Sequence, residues 1–143
     1  MKTVIAFFRL IRIVNLLIIA LCIGLFYYLI MVPVHNNTLM TTFVPLNHLD
    51  FVVFTLSVMF VAAGGNIIND YFDFELDKEF KPNRPLAQGA FSLNTAIYLH
   101  GFFIFAGIAM GFYLGWGYGK FSFGYLYVVA ALLLYVYSAY LKK

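Results

Sequence analysis

The sequence predicts an all-α polytopic membrane protein with four transmembrane helices. Three observations carry that reading. Of 143 residues, 64% are hydrophobic and only 10% charged, whereas a soluble domain is roughly 45 to 50% apolar and about 25% charged. Four apolar stretches, at about residues 14–34, 51–69, 96–114 and 121–140, match the roughly 20 helical residues needed to cross about 30 Å of hydrocarbon. Cations gather outside these stretches mainly on one side, with Lys120 alone in a connection on the other, as the positive-inside rule expects.

The first stretch follows Lys2, Arg9 and Arg12. It outlasts the roughly 7 to 15 apolar residues of a secretory signal, and no small-residue cleavage site follows, so it reads as a retained helix. Its Cys22 is the sole cysteine, which excludes a disulfide framework and a Cys/His zinc pattern. The connection HNNTLMTTFVPLNH carries no Lys or Arg and reads as an extracytoplasmic loop.

After the second stretch, KEFKPNRPLAQGAFS breaks the helix with Pro82, Pro85 and Gly89 and offers Ser92 as the next cap. Lys78, Lys81 and Arg84 mark this connection as cytoplasmic, together with both termini. In the third stretch, Gly107, Gly111 and Gly115 recur every four residues, a stripe that lets helix backbones approach closely in lipid. Lys142 and Lys143 close the fourth. Topology accounts for the net charge of +3, so no nucleic-acid partner is implied.

The chemistry is concentrated at the end of the second stretch. Five of the six acidic residues, Asp70, Asp73, Glu75, Asp77 and Glu79, lie within ten positions. At about 100° per residue, Asn66, Asn69, Asp70, Asp73 and Asp77 fall within an arc of roughly 100° and Glu75 points away. Three carboxylates on one face repel one another, and a helix C-terminus already carries partial negative charge. The two asparagines extend this polar face toward the membrane, where polar groups normally face a bundle interior or a wet cavity. A bound divalent cation would offset these costs.

Only oxygen donors are on offer, so a hard ion such as Mg²⁺ suits the site. Mg²⁺ is usually held by one or two carboxylates together with substrate phosphates, which points to a phosphorylated ligand resident in the membrane. Arg84 is placed to hold phosphate oxygens bidentately, with Lys81 beside it. Arg12 and Asn15, three residues apart at the same membrane face, would share a helix face and reach the same headgroup.

These residues resemble the UbiA family of intramembrane prenyltransferases. The family's first aspartate motif, NDxxDxxxD, is complete in Asn69, Asp70, Asp73 and Asp77. Its RPL-x-x-G segment is present in Arg84, Pro85, Leu86 and Gly89, and the ending YSAYLKK is similar to that of its fourth helix through Tyr137, Ser138, Leu141 and Lys142. The resemblance implies the first half of a nine-helix bundle, in which aspartate-held Mg²⁺ binds an isoprenyl diphosphate, assists departure of diphosphate, and leaves an allylic cation for a membrane-associated acceptor.

Carried onto this sequence, Asn69, Asp70, Asp73 and Asp77 hold metal and diphosphate, the three aspartates being the catalytic set. Arg84 and Lys142 contact diphosphate or acceptor, in company with Arg12, Asn15, Asn66, Lys81 and Tyr137. The phrasing GNIINDYFD is most like bacterial relatives of enzymes that prenylate glycerol phosphate ethers, but quinone-prenylating and haem-farnesylating members share the core motif. The resemblance therefore implies prenyl transfer to a lipid or aromatic acceptor, geranylgeranylglycerol phosphate among them, in a bacterial inner membrane.

The family carries a second aspartate motif, but no acidic residue follows Glu79 here. The chain is therefore expected to be a truncated frame, a fragment or one half of a split enzyme, with a second chain supplying the other motif. Two alternatives stand beside this reading: a non-catalytic membrane subunit that binds Mg²⁺ and a polyprenyl phosphate, and a transporter half. Transporter sites tend to lie near the midplane on broken helices, which ranks that alternative last.

Overall fold

The computed structural model describes residues 2–33 and 46–141. Among them there are helices and turns but no strand. A short helix α1 (Lys2–Leu10) precedes α2 (Ile13–Phe26), which runs on through a π turn (Tyr27–Met31). Then come α3 (His48–Phe72), α4 (Phe74–Phe80), α5 (Leu93–Gly117) and α6 (Ser122–Val136), the last continued by a second π turn (Tyr137–Leu141).

Four helical runs are long and apolar enough to cross a membrane: Ile13–Met31, His48–Phe72, Leu93–Gly117 and Ser122–Leu141. The two central runs begin about a turn before their apolar windows because polar caps start them early. Asn47 Oδ1 accepts from Asp50 N at 2.8 Å while its Nδ2 donates to Asp50 Oδ2 at 2.8 Å, a reciprocal cap that satisfies otherwise orphaned donors. Ser92 Oγ accepts from Thr95 N at 3.1 Å, the cap expected from the sequence. Most of the expected extracytoplasmic loop, at 34–45, lies outside the described residues.

α3 and α5 form the most extensively packed pair, and glycine makes their approach possible. A Cβ on Gly107 would sit 3.0 Å from the Ser57 carbonyl oxygen and 3.2 Å from the Val61 nitrogen, while one on Gly111 would enter the Tyr127 ring. The glycine stripe thus serves two neighbours, with α3 against Gly107 and α6 against Gly111. Where the three helices meet, buried Ser57 and Tyr127 share a 2.6 Å hydrogen bond between their hydroxyls. An interhelical bond of this kind contributes about 0.6 kcal/mol in lipid.

A second cluster gathers Leu10, Ile11, Leu16, Ala63, Ile67, Leu86, Ala96 and Phe103. It lies at the aspartate-bearing end of the bundle and locks α1, α2 and the loop after α4 onto α3. Elsewhere α2 is largely exposed, with Leu16 its one buried residue, and α6 presents Leu126, Val129, Leu132 and Leu133 outward. Apolar helix surfaces of this extent, rich in Leu, Ile and Phe, belong in lipid or against other apolar helices. The molecule is an integral membrane protein built as a helical bundle.

Candidate active site at the aspartate-bearing end

Asp70 lies in the last turn of α3, and Asp77 lies one turn before the end of α4. Asp73 sits between the two helices with φ −81° and ψ −1°, where the regular helix is interrupted. Backbone bonds from Asp73 N to the Asn69 carbonyl at 3.0 Å and from Asp77 N to the Asp73 carbonyl at 2.8 Å keep the chain nearly on its helical course. Asp70 and Asp77, seven residues apart, therefore still face the same way. Both are almost completely buried, with side chains 4% and 6% exposed.

Two arginines from distant segments meet these carboxylates. Arg12 Nη2 donates to Asp70 Oδ1 at 2.7 Å, and Arg84 Nη1 donates to the same oxygen at 2.6 Å. Arg84 Nη1 also donates to Asp77 Oδ2 at 3.0 Å. The network is neutral, two guanidinium groups against two carboxylates, and it ties the α1–α2 elbow, α3, α4 and the following loop together. Asp73 is engaged separately, with Asn69 Nδ2 donating to its Oδ2 at 3.3 Å.

Arg12 reaches Asp70 through an unusual backbone. It has φ 56° and ψ 57°, the one positive-φ residue other than glycine among those described. The left-handed conformation costs a non-glycine residue roughly 1 to 2 kcal/mol. It turns the chain sharply between α1 and α2, and Asn66 Nδ2 braces the turn by donating to the Ile11 carbonyl at 3.0 Å. Arg12→Gly should keep this elbow and lose only the ion pair, whereas Arg12→Ala should lose the pair and retain the strain. Alanine is thus expected to be less stable by about 1 kcal/mol, read as a difference in unfolding midpoint in mixed micelles. Equal stability of the two variants would show that the backbone there is unstrained.

The sequence-predicted residues divide accordingly. Asp70, Asp77, Arg12 and Arg84 are brought together, Asn69 joins Asp73, and Asn66 is committed to the backbone of the elbow. Asn15 is exposed beside Arg9 and Arg12 in an open groove of about 330 Å³ also lined by Ile5, Phe8, Ile13 and Val14. Arg12 caps the start of α2 rather than lying within it, yet the two residues line this groove together. Lys81 is exposed and makes no ion pair among the described residues. Tyr137 is 52% exposed in the second π turn, which packs against α3 but stays outside the arginine–aspartate network.

Lys142 lies outside the described residues. Glu75 points away, as the helical arc required, and pairs with Lys78 at 3.4 Å on the exposed face. Two features had no sequence signal: the left-handed elbow, since nothing marks a non-glycine residue for positive φ, and the meeting of both carboxylates on one arginine nitrogen.

The donor chemistry fits Mg²⁺. Asp70 Oδ1 and Asp77 Oδ2 converge on a single positively charged nitrogen, and carboxylate oxygens of this kind are the hard ligands Mg²⁺ prefers. Among the described residues no group of three or more His, Cys, Asp or Glu side chains is gathered for a metal. Two protein carboxylates suffice where substrate phosphates complete the coordination.

The sequence model of the UbiA prenyltransferase family matches residues 38–143. The digeranylgeranylglyceryl phosphate synthase of Pyrococcus horikoshii is 40% identical over 87 residues, covering 61% of this chain and 30% of that protein. The enzyme of the same name from Methanothermobacter thermautotrophicus is 46% identical over 98 residues, covering 66% and 32% respectively. A solved chain, from work on digeranylgeranylglyceryl phosphate synthase in membranes, superposes with a TM-score of 0.79 at 27% identity, covering 99% of this chain and 45% of the other. The chain thus spans less than half the length of the relatives it matches.

Proposed function

This chain belongs to the UbiA prenyltransferase family, and from that premise we propose that it supplies the first aspartate motif of a Mg²⁺-dependent intramembrane prenyl transfer. The donor is an isoprenyl diphosphate and the acceptor a membrane-associated lipid. The reaction closest to the named relatives is addition of a geranylgeranyl group to a geranylgeranylglyceryl phosphate type of acceptor. The carrying observation is the burial of Asp70 and Asp77 at one end of the bundle, both on one cation.

The roles follow from placement. Asp70 and Asp77 are the carboxylates that would hold Mg²⁺, with Asn69 and Asp73 adjoining them on the same segment. Arg84 carries a planar fork suited to diphosphate oxygens, and Lys81 stands exposed three residues earlier for the same anion. When bound, Mg²⁺ supplies charge stabilisation to the departing diphosphate. In this reading Arg12, Asn15, Tyr137 and Lys142 are assigned to the diphosphate or the acceptor headgroup.

The distribution of Lys and Arg supports placing this end, with both termini, on the cytoplasmic face, the membrane in this reading being a bacterial inner membrane. Residues 1–143 form one transmembrane unit in this reading. Because the chain covers 45% of the solved relative, a second segment or chain would complete the cavity and its second motif.

The test is binding of geranylgeranyl diphosphate to the purified chain in nanodiscs with and without Mg²⁺. Binding should require Mg²⁺ and fall by roughly tenfold or more in Asp73→Asn, the scale of a lost interaction worth about 1.4 kcal/mol. Equal binding by both forms would remove the assigned role. Prenyl transfer appearing only on co-expression with a segment bearing the second motif separates an enzyme half from a non-catalytic binding subunit.

A further inference from the structure

We propose that Arg84 is an exchangeable internal cation: it occupies the space between Asp70 and Asp77 until a divalent ion takes that place, and it is thereby released to grip the phosphate that arrives with the ion. This rests on the reading above and adds to it a coupling between the two ligands.

The geometry carries the inference. One nitrogen, Arg84 Nη1, bonds both Asp70 Oδ1 and Asp77 Oδ2, at 2.6 and 3.0 Å. Those carboxylates are nearly solvent-free, so leaving them without a positive partner is costly and the site is never vacant of positive charge. A divalent ion bound to both oxygens and a guanidinium bonded to the same oxygens would compete for the same lone pairs and repel each other. Entry of the ion therefore requires Arg84 to leave.

Arg12 need not move. It makes no bond to Asp77, and the departure of Arg84 alone frees a lone pair on Asp70 Oδ1 while Arg12 keeps the other. What distinguishes Arg84 is position: its Nη1 bridges both carboxylates, whereas Arg12 bonds Asp70 alone. The loop of Arg84 is anchored by Leu86, 2% exposed, and by turn bonds from Arg84 N to the Lys81 carbonyl at 3.0 Å and from Gln88 N to the Arg84 carbonyl at 2.9 Å. Its side chain is one-quarter exposed. The guanidinium can swing toward solvent while its backbone stays in place.

Two consequences follow. The ion alone binds weakly, because its gain is reduced by breaking the arginine bridge. With a diphosphate present, the freed arginine regains a double anionic partner, so each ligand strengthens the other, and by linkage the strengthening is mutual. The site then resists filling by metal alone and closes on metal and diphosphate together.

The experiment uses the purified full chain in nanodiscs, Mn²⁺ as a spectroscopic stand-in for Mg²⁺, and inorganic pyrophosphate as the anion. Free Mn²⁺ is read by electron paramagnetic resonance. Arg84→Gln should bind Mn²⁺ alone about tenfold or more tightly than the wild type, within the roughly 5- to 150-fold range usual for coupled sites. Lys78→Gln removes the same charge from an exposed position on the outward face and should change affinity by less than about twofold, since solvent screens it. Pyrophosphate should raise Mn²⁺ affinity more in the wild type than in Arg84→Gln.

Equal shifts in the two variants, or none in Arg84→Gln, would overturn the exchange. Absence of Mn²⁺ binding in every form, even with pyrophosphate, would instead remove the metal-dependent reading itself and the exchange with it. Should Arg84→Gln fail to fold, the wild type alone decides. Its arginine guanidinium NMR signals, ¹⁵N-labelled, should lose the Arg84 resonance on addition of Mg²⁺ and regain a shifted one with pyrophosphate, and an unmoved signal overturns the proposal.

Discussion

Asp70→Ala is expected to destabilise the chain by about 3 kcal/mol, the lower end of the roughly 3 to 5 kcal/mol usual when one member of a buried ion pair is removed. Asp70 Oδ1 alone holds both Arg12 and Arg84, at 2.7 and 2.6 Å. Its loss leaves Arg12 without an anionic partner and Arg84 with Asp77 only. The effect stays near the lower limit because the arginine side chains are 31% and 25% exposed, so water compensates part of the lost pairing.

Glu75→Ala provides the contrast. Its partner Lys78 is 3.4 Å away and its own side chain is 81% exposed, and an exposed helical pair contributes about 0.3 to 0.5 kcal/mol. Reversible unfolding in mixed micelles measures both variants. A loss for Asp70→Ala no larger than that for Glu75→Ala would mean that the arginine–aspartate network does not hold the segments together.

Gly107→Ala is the second large effect. The added methyl would lie 2.7 Å from Val61 Cγ2, 3.0 Å from the Ser57 carbonyl oxygen and 3.2 Å from the Val61 nitrogen. A side-chain methyl can rotate aside, but two of these three atoms are backbone, so α3 and α5 must separate. Overpacking of this kind costs about 1 to 3 kcal/mol. The movement also pulls at the hydrogen bond that Ser57 itself makes to Tyr127.

Gly101, on the same helix, has nothing within 4 Å of where a Cβ would be placed. Gly101→Ala should be neutral or stabilising, by up to about 1 kcal/mol of helix propensity. Unfolding of the two variants under one condition is the check. Tolerance of Ala at both positions would contradict the close approach of α3 to α5.

Much of this fold was legible from composition and spacing because the bilayer restricts the options: an apolar run of sufficient length must be a helix whose backbone groups satisfy one another. The Ser92 cap and the use of Gly107 and Gly111 as contact points were readable for the same reason, each being a local rule with a local signal. The clustering of five acids within ten residues likewise located the candidate site. The short helix α1 and its elbow were not readable, since the apolar pattern runs through Ile11 and Ile13 with no glycine to mark the bend.

The aspartate motif shows where sequence reasoning stops. Spacing along a helix correctly set Asp70 and Asp77 on one side and Glu75 on the other, because those relations depend only on residues a few positions apart. Spacing also implied that three like charges must be balanced by something positive. It could not identify the balancing groups, since they come from 58 and 14 residues away, Arg12 and Arg84 respectively. Residue order determined that this chain is a membrane helix bundle with an acidic site at one end. Tertiary structure alone decided that two arginines fill that site, because long-range packing brings the elbow and the loop onto α3, and electrostatic partners are chosen by distance in space.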